Sequence, residues 1–294
     1  MKVGVDLGGS HIGIGLVDDE GNIIEKEDKI IKDKRQIRKT IEEFIIEKVV
    51  QMGLTNTIES IGIAVPGTVS KNKIIKAVNL GIEDYDLATK IEEVLNIKVR
   101  MKNDAKCAAI AEQKYGALAE YENSIFLCIG TGVGGAVIYE EKLLEAKLVP
   151  GYEFSHTIIH KNGNMCNCGK RGCFETYASL KRFKEKISNE YNIDTLDGDE
   201  IRKFIKENST DSRLKYIINN YIDDLSIGIS NFINIFEPEA ICIGGSFAEY
   251  EDILFESLKV KLLNGSLLFN QRDDIIIKHA KFRNDAGIIG ATLI

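Results

Sequence analysis

The sequence has no feature of a membrane protein or of a nucleic-acid-binding protein. No apolar run in its 294 residues approaches the roughly 18 that a membrane span requires, and no apolar segment with a small-residue cleavage site follows the first methionine. The formal net charge is −7, and no block of basic residues stands out to neutralise phosphates along a nucleic acid. We therefore expect a cytoplasmic protein without nucleic-acid or membrane partners.

The chain also lacks a low-complexity tract and a linker rich in proline, glycine or serine. With 44% hydrophobic and 28% charged residues, its composition is typical of a globular protein. A length of 294 residues is sufficient for a large core and favours two lobes over one.

Cysteine is scarce, and three of the six cysteines are isolated from the others. Cys107, Cys128 and Cys242 stand singly among apolar neighbours. In such surroundings a free cysteine behaves as a small hydrophobic residue, so we expect these three to be buried.

The other three cysteines form a cluster with a histidine between Glu153 and Glu175. Its members fall within 18 residues and are spaced by Gly169 and Gly172: His156, Cys166, Cys168 and Cys173. One imidazole and three thiols are a complete ligand set for tetrahedral zinc, and a closed site of this kind is structural rather than catalytic. A loop of reduced cysteines without a metal is the alternative interpretation.

Apolar periodicity predicts an α/β protein in which the opening pattern recurs. Strands are predicted at residues 2–6, 12–17, 23–26, 58–65, 99–101, 124–129, 136–139, 239–243 and 275–280. Helices are predicted at residues 34–52, 85–96, 105–115, 174–191, 199–208, 211–236, 250–263 and 286–294. Residues 5–24 and 128–144 share the order strand, glycine-rich reversal, strand and acidic turn. This repeat suggests two lobes of one plan facing each other over a cleft, although two hairpins can be similar by chance.

The first glycine-rich reversal is a candidate phosphate-binding loop. Asp6 ends a strand, and Gly8 and Gly9 allow the next backbone N–H groups to turn toward an anion, with the Ser10 hydroxyl beside them. Asp6 is also placed to hold Mg²⁺ through water, since hard cations prefer oxygen ligands. Two adjacent glycines serve ordinary hairpins as well, so the motif alone does not decide between these interpretations.

The second reversal, from Gly130 to Gly135, formally matches the dinucleotide fingerprint G-x-G-x-x-G. That fingerprint requires a helix after the glycines, whereas a strand and an acidic turn follow here. The P-loop motif is absent from the chain. Two glycine-rich hairpins would instead grip a polyphosphate from both sides. A third glycine pair, Gly244 and Gly245 before Ser246, would let a flat base approach the backbone.

Asn103 and Asp104 lie between a short strand and an alanine-rich helix. Both residue types are favoured as helix N-caps, which is a sufficient reason for their presence. A carboxylate here would also serve as the base for phosphoryl transfer, with Asn103 hydrogen-bonding a neighbouring hydroxyl. Both accounts can hold together. The remaining histidines have no partner at metal or catalytic spacing and are expected to be surface or structural residues: His11, His160 and His279.

Taken in this order, the motifs resemble the ROK family of sugar kinases over essentially the whole chain. The most specific element is Glu153-x-x-His156 followed by Cys166-x-Cys168-Gly-x-x-Gly-Cys173-x-Glu175. The others are, in chain order, Asp6–Ser10, Pro66-Gly67, Asn79-Leu80, Asn103-Asp104, Gly130–Gly135 and Gly244-Gly245.

The resemblance implies a two-lobed, actin-like ATPase fold of the ribonuclease H-like type, with ATP and sugar in the cleft. The expected N-terminal lobe is residues 1–116, completed by a helix at 285–294. The larger C-terminal lobe is residues 117–284 and carries the zinc-binding loop 153–175. A homodimer is also expected, since dimers are common among similar proteins.

The resemblance further implies a role for each motif. Asp104 would deprotonate the sugar hydroxyl that attacks the γ-phosphate of Mg-ATP, with glucose at O6 as the leading substrate. The residues lining the sugar would be Gly67, Asn79, Asn103, Asp104, Glu153, His156 and Glu175. ATP would be bound together with Mg²⁺, through both its phosphates and its adenosine. The residues that bind it would be Asp6, Gly8, Gly9, Ser10, Thr131, Gly132, Gly244 and Gly245. Structural Zn²⁺ would be held by His156, Cys166, Cys168 and Cys173.

Other functions are weighed against this one. A sugar-responsive repressor would carry a winged helix ahead of the phosphate loop, whereas that loop starts at Asp6 here. A non-catalytic actin-like ATPase needs neither the cysteine cluster nor the Asn103-Asp104 pair. Kinases for other sugars share most of these residues, so the alternative substrates are fructose, mannose, allose, N-acetylmannosamine and N-acetylglucosamine.

Three residues depart from the family pattern. Tyr152 and Ser155 stand where the family often has glycine, so the backbone around Glu153 and the sugar specificity are expected to differ. Lys106 stands where asparagine is common; it could steer anions beside Asp104, but we expect its side chain to point to solvent.

Overall fold

The computed structural model describes residues 1–31, 33–54, 56–147, 151–264 and 275–294. Two compact units make up the chain. The first comprises Met1–Glu120, Leu143–Gly151 and Asn284–Ile294, and the second comprises Tyr121–Lys142 and Tyr152–Arg283. Among the described residues, no helix has both the length and the apolar character needed to cross a bilayer.

Strands and helices are interspersed in both units. The strands are β1 (Lys2–Leu7), β2 (His11–Val17), β3 (Ile23–Ile30), β4 (Ser60–Val65), β5 (Thr68–Ser70), β6 (Lys73–Ala77), β7 (Ile82–Tyr85), β8 (Lys98–Asn103), β9 (Ser124–Ile129), β10 (Val133–Tyr139), β11 (Lys142–Leu143), β12 (Ala240–Gly244) and β13 (Ile276–His279). The helices are α1 (Ile37–Gly53), α2 (Leu87–Leu95), α3 (Asp104–Tyr115), α4 (Glu175–Ala178), α5 (Leu180–Tyr191), α6 (Gly198–Glu207), α7 (Ser212–Phe236), α8 (Glu251–Asn264) and α9 (Ala286–Ala291).

A five-stranded mixed sheet forms the centre of the first unit, in the order β3-β2-β1-β4-β8. β1 is antiparallel to β2 and parallel to β4, which is parallel to β8. One face carries apolar side chains such as Val3 and Val5, which join the core formed with α1 and α2. The other face carries Gly4 and Gly62, where an added Cβ would collide with the backbone of α9. Helix α9 therefore lies almost directly on the sheet.

The second unit repeats this plan with the order β11-β10-β9-β12-β13. β9 is antiparallel to β10 and parallel to β12, and β12 is parallel to β13. The relation of β1 to β2 and β4 is thus the relation of β9 to β10 and β12. The repeat predicted from residues 5–24 and 128–144 is confirmed at the level of sheet topology.

Two predicted helices differ from the observed ones, and one small sheet was not predicted. Tyr85 ends β7, and α2 begins only at Leu87, after Asp86 accepts a hydrogen bond from the Thr89 N–H at 3.3 Å. The helix predicted over residues 174–191 is interrupted at Ser179, whose extended backbone ends α4 and whose side chain caps α5. The small sheet β5-β6-β7 was not predicted, because its strands are short and do not alternate regularly between apolar and polar residues.

Candidate active site

Two carboxylates lie at the carboxyl ends of strands in the first sheet. Asp6 is next to last in β1, paired with Gly13 of β2 and Ala64 of β4. Asp104 is the first residue of α3, directly after β8. Because β1, β4 and β8 run parallel and side by side, their carboxyl ends meet at one edge of the sheet. That edge is the usual place for a site in folds of this kind.

Burial raises the pKa of both carboxyl groups. Loss of hydration raises the pKa of Asp6 to about 7, and the charge of Asp104 adds to the rise while that of Lys26 opposes it. Loss of hydration also raises the pKa of Asp104 to about 6, against hydrogen bonds from Ala105 and Asn103 that lower it. Each residue keeps part of its surface exposed, but protein surrounds the carboxyl group itself. Asp104 is therefore a stronger base than an exposed aspartate and is still ionised at neutral pH.

Asn103 connects helix α3 to the loop after β4. Its Oδ1 accepts a hydrogen bond from the Lys106 N–H at 3.2 Å, so the predicted capping role is confirmed. Its Nδ2 donates to the Gly67 carbonyl, also at 3.2 Å. One amide thus fixes both the start of the helix that carries Asp104 and the position of Gly67.

The tip of the β1-β2 hairpin lies beside Asn79. The Gly8 N–H donates to the His11 carbonyl at 2.8 Å, and a Cβ on Gly9 would lie 3.6 Å from the Asn79 Cβ. Lys34 Nζ donates to the Asn79 carbonyl at 2.9 Å and so fixes that residue. Lys34 was not predicted as a site residue, because a single lysine at this place in the sequence belongs to no motif.

Gly287 of α9 makes room for the Asp6 carboxylate. A Cβ on Gly287 would lie 2.6 to 2.9 Å from the three carboxyl atoms of Asp6. Distances below 3.0 Å force a rearrangement, so only glycine fits here without displacing Asp6. This residue was also missed, since nothing in the local sequence relates position 287 to position 6.

In the second unit, the Glu175 carboxylate lies on the tip of the β9-β10 hairpin. Its Oε2 accepts a hydrogen bond from the Val133 N–H at 3.1 Å, and a Cβ on Gly132 would lie 2.5 Å from that oxygen. The Gly130 N–H donates to the Gly132 carbonyl at 2.9 Å, which closes the turn around the exposed Thr131. Glu175 and the glycine-rich turn are therefore one local structure.

The third glycine pair lies against the same hairpin. Gly245 has a φ of +75°, and a Cβ there would lie 2.7 Å from the Ile129 carbonyl oxygen. A Cβ on Gly130 would lie 3.2 Å from the Ser246 Oγ. The segment after β12, beginning at Gly244, thus approaches the end of β9 as closely as glycine permits.

The four predicted metal ligands converge in the second unit. One ligand atom from each of His156, Cys166, Cys168 and Cys173 lies within 4.8 Å of the other three. The Cys166 Sγ is 3.7 Å from the His156 Nδ1, and the Cys168 Sγ is 3.6 Å from the Cys173 Sγ. Zinc–sulfur bonds of about 2.3 Å in a tetrahedron place ligand atoms about 3.8 Å apart. The ligand set and its spacing therefore fit a tetrahedral metal ion.

Glycines and backbone hydrogen bonds shape this cysteine loop. The Cys166 N–H donates to the Lys170 carbonyl and the Gly169 N–H to the Cys166 carbonyl, both at 2.9 Å. Gly169 and Gly172 have φ values of +87° and +79°, which favour glycine. Burial raises the pKa of the Cys173 thiol, and binding of a metal ion to its thiolate would release the proton.

Two phenylalanines attach the carboxylates beside this loop to helix α7. Phe154, next to Glu153, packs against Phe232 with ring centroids 4.3 Å apart. Phe174, next to Glu175, lies 5.6 Å from Phe232 and against Gly228, where a Cβ would collide with its ring. The hydrophobic core thus supports the segments at both ends of the loop.

His160 supports the loop without being a metal ligand. Its Nε2 lies 2.6 Å from the Asp224 Oδ1 of α7, and its ring lies 4.4 Å from that of Tyr177. The structural role expected for His160 is consistent with these contacts. The side chain of Lys106, expected in solvent, instead directs its Nζ to the Gly151 carbonyl at 3.5 Å and is half-buried.

Each unit thus gathers its own part of the predicted site. The first unit holds Asp6, Gly8, Gly9, Ser10, Gly67, Asn79, Asn103 and Asp104. The second holds Thr131, Gly132, Glu153, His156, Glu175, Gly244, Gly245 and the three cysteine ligands. Local contacts join Gly67 to Asn103, Gly9 to Asn79 and Gly132 to Glu175.

Known proteins share this arrangement over nearly the whole chain. The crystal structure of a ROK family glucokinase from Streptomyces griseus in complex with glucose and AMPPNP matches with a TM-score of 0.82 at 25% identity, covering 99% of this chain and 97% of that one. The fold is therefore an α/β fold with mixed sheets of the actin-like ATPase class. A model of the ROK family matches residues 2–294, and the chain belongs to that family.

Curated relatives include both enzymes and regulators. A glucokinase from Thermotoga maritima is 29% identical over 311 residues, an alignment that covers 99% of this chain and 96% of the relative. A xylose repressor from Caldicellulosiruptor bescii is 28% identical over 306 residues, with 98% of this chain and 76% of the repressor covered.

Proposed function

We propose that this protein is an ATP-dependent sugar kinase that transfers the γ-phosphate of ATP to the 6-hydroxyl of glucose. The observation that carries the proposal is Asp104, a carboxylate at the carboxyl edge of parallel strands whose pKa is raised to about 6 by burial. The glucokinases of T. maritima and S. griseus support the reaction class. The alternative substrates are fructose, mannose, allose, N-acetylmannosamine and N-acetylglucosamine.

Asp104 acts as the general base in this proposal. Its Oδ1 accepts a hydrogen bond from the Ala105 N–H at 2.8 Å, which fixes the orientation of the carboxylate that accepts the proton of the attacking hydroxyl. Phosphoryl transfer depends mainly on positioning and on stabilising charge, so a base of fixed orientation contributes through both effects. The N-terminus of α3 also stabilises the ionised carboxylate, because the helix dipole is positive there.

The sugar contacts come from rigidly held groups. Asn103 and Gly67 are tied to each other, and Glu175 is tied to the β9-β10 hairpin. A hexose offers only hydroxyls, so amides and carboxylates that donate or accept at several positions are required to recognise it. The proposed set is Gly67, Asn79, Asn103, Asp104, Glu153, His156 and Glu175.

ATP is bound with Mg²⁺ by the glycine-rich segments. Asp6 fits a role beside the cation. Loss of hydration raises its pKa to about 7, and a nearby positive charge would stabilise its ionised form. When bound, Mg²⁺ neutralises charge that develops on the phosphates. Gly8, Gly9, Ser10, Thr131 and Gly132 contact the phosphates, and Gly244 and Gly245 lie against the adenosine.

His156, together with Cys166, Cys168 and Cys173, would hold a structural Zn²⁺ in the cysteine loop. Its Nδ1 faces the cysteine thiols, at 3.7 Å from the Cys166 Sγ. With Nδ1 as a metal ligand, the ring proton is confined to Nε2, which can then donate a hydrogen bond to a sugar hydroxyl. A bound metal would supply rigidity and would fix this tautomer, while Asp104 accepts the proton in the transfer step.

A coupled assay of ADP release across the six sugars tests the proposal. We expect glucose to be phosphorylated in preference to the other five, and we expect Asp104→Asn to lower kcat by about 100- to 10,000-fold, the range for loss of a general base. Asp199→Asn is the matched control, since Asp199 also lies in the first turn of a helix and is exposed. Unchanged turnover in Asp104→Asn would exclude it as the base.

A sugar-responsive regulator without catalysis is the second candidate, favoured by the xylose repressor relative. It would bind a sugar in calorimetry and release no ADP with any of the six. The proposal further includes lobes at residues 1–116 with 285–294 and at 117–284, a homodimer, and a cytoplasmic location. Light scattering that gave the mass of a single chain would contradict the dimer.

A further inference from the structure

A strained residue precedes Glu153, where the chain passes from the first unit to the second. Residues up to Gly151 in this part of the chain belong to the first unit, and Tyr152 begins the second unit. Tyr152 has a φ of +60°, in the left-handed region that residues with large side chains rarely adopt. Strain of this kind persists only where the surroundings hold it in place, and it is frequent at functional sites.

Lys106 supplies a contact that holds the residue before Tyr152. Its Nζ donates to the Gly151 carbonyl at 3.5 Å. Lys106 lies in the first turn of α3, where the helix dipole disfavours a cation, so this carbonyl offsets a local penalty. The lysine thus holds the carbonyl that directly precedes Tyr152.

The segment is also held on the other side of Glu153. Phe154 is 4% exposed and packs on Phe232 of α7, and the His156 N–H donates to the Glu153 carbonyl at 3.2 Å. Glu153 is therefore preceded by a fixed carbonyl and a left-handed residue, and followed by a buried ring and a 3₁₀ turn. Its backbone has little freedom to change direction.

We infer that Lys106 and Tyr152 are positioning residues that orient Glu153 toward the sugar, and that they thereby set the affinity for the sugar. The inference rests on the proposed kinase function and adds two residues to it. Lys106 acts through the Gly151 carbonyl, and Tyr152 acts through its backbone conformation. Both effects reach the sugar through Glu153, so binding of ATP is independent of them.

A pair of substitutions at Tyr152 separates the effect of its backbone conformation from the effect of its side chain. Tyr152→Gly keeps the left-handed conformation without strain, so the KM for the sugar stays within about twofold of wild type. Tyr152→Val disfavours that conformation because valine is β-branched, and it raises the KM for the sugar by about tenfold. Tyr152→Ala, with a smaller rise, replaces the valine variant if the latter does not fold. Equal rises in the glycine and valine variants would overturn the backbone role.

A second pair at Lys106 tests the carbonyl contact. Lys106→Met keeps the length of the side chain and removes the donor, and it raises the KM for the sugar by about fivefold, on the scale of one lost charged hydrogen bond. Lys106→Arg keeps a donor and restores the KM to within about twofold of wild type. The KM for ATP stays constant in both variants. A parallel rise in the KM for ATP, or no rescue by arginine, would overturn the inference.

Sugar binding by calorimetry separates failure of this inference from failure of the proposed function. A wild-type protein that binds glucose without releasing ADP contradicts the kinase proposal, yet the same four variants still report on positioning through their dissociation constants. A wild-type kinase whose KM for the sugar is the same in all four variants contradicts only the positioning roles.

Discussion

The two five-stranded sheets share an order and strand directions but carry different chemistry at matching positions. Asp6, next to last in β1, pairs with Ala64 of β4. Cys128, next to last in β9, pairs with Gly244 of β12. A carboxylate in the first unit thus corresponds to a thiol in the second. The topology creates the same edge twice, and the side chains decide what each edge can do.

Each unit also uses a glycine to make room for a carboxylate, with different results. Gly287 lies over Asp6, whose carboxyl group has lost most of its hydration and has a raised pKa. Gly132 lies beside Glu175, which accepts a hydrogen bond from the Val133 N–H. The first arrangement favours basicity and affinity for a cation, and the second favours a fixed orientation. The same packing feature, a glycine beside a carboxylate, thus serves two chemical purposes.

The largest expected effect is the difference in kcat/KM for ATP between variants at the matching residues Asp6 and Cys128. Asp6→Asn should lower kcat/KM for ATP by about 100-fold, because the phosphates and Mg²⁺ lose a charged partner. Cys128→Ser, the matched variant in the second sheet, should change it by less than about twofold, because the substitution is nearly isosteric and removes no carboxylate. Steady-state kinetics with ATP as the varied substrate measure both. Similar losses in the two variants would break the distinction between the sheets.

Metal removal should affect the second unit alone. Cys168→Ser should lower the zinc content of the protein. It should also raise the KM for the sugar by about tenfold, since loss of the contacts that orient a binding residue such as His156 typically costs 10- to 100-fold. Cys107→Ser, a buried cysteine of the first unit, is the control and should leave the zinc content unchanged. Metal analysis beside sugar kinetics tests this. Much less than one zinc per folded wild-type chain would contradict the site.

The two glycines should respond differently to an added methyl group. Gly287→Ala forces a Cβ against a buried carboxylate and should destabilise the fold by about 1–3 kcal/mol, as overpacking does. In Gly132→Ala the added Cβ meets only the far end of the Glu175 side chain, which would shift, so stability should change by less than about 0.5 kcal/mol while the KM for the sugar rises. Denaturant unfolding and sugar kinetics measure the two effects. A larger loss of stability in Gly132→Ala would reverse the comparison.

The smallest expected effect is on the pH dependence of stability. The folded-state pKa values of Asp6 and Asp104 lie above the ordinary 3.8, so their protonated forms stabilise the fold below pH 4. That contribution is lost as the pH rises through 6 to 7. Asp104→Asn avoids this loss and should be more stable than wild type at pH 8 by roughly 1–2 kcal/mol.

The same groups predict the acid limb of activity. Turnover should fall below about pH 6 as Asp104 becomes protonated. Unfolding at pH 5 and pH 8 and a pH–rate profile are the measurements, with Asp199→Asn as the control. A stability of Asp104→Asn at pH 8 below that of wild type would show that burial of this carboxylate is not unfavourable.

The sequence was sufficient to predict features that depend on local patterns. Continuous apolar runs predicted most strands, and the spacing of His156, Cys166, Cys168 and Cys173 predicted their convergence. Asn103 was predicted as a cap from its residue type, and its side chain accepts a hydrogen bond from a backbone N–H three residues away. Such contacts join residues that are close together in the sequence. The division into lobes at residue 116 stays a prediction.

Features that depend on distant contacts could not be predicted. Gly287 meets Asp6 only because α9 returns to the first sheet after the second unit. Lys106 reaches Gly151 across 45 residues, and no periodicity relates the two. The left-handed backbone of Tyr152 was missed because tyrosine gives no local signal for it, and propensity yields to tertiary context at such places.

The position of α9 also has a consequence for biosynthesis. The helix belongs to the first unit, yet it leaves the ribosome only after all of the second unit has been made. Until then the face of the first sheet that carries Gly4 and Gly62 lacks its cover. A chain released before residue 284 would keep that face open to proteases and chaperones, so quality control can distinguish truncated chains from finished ones.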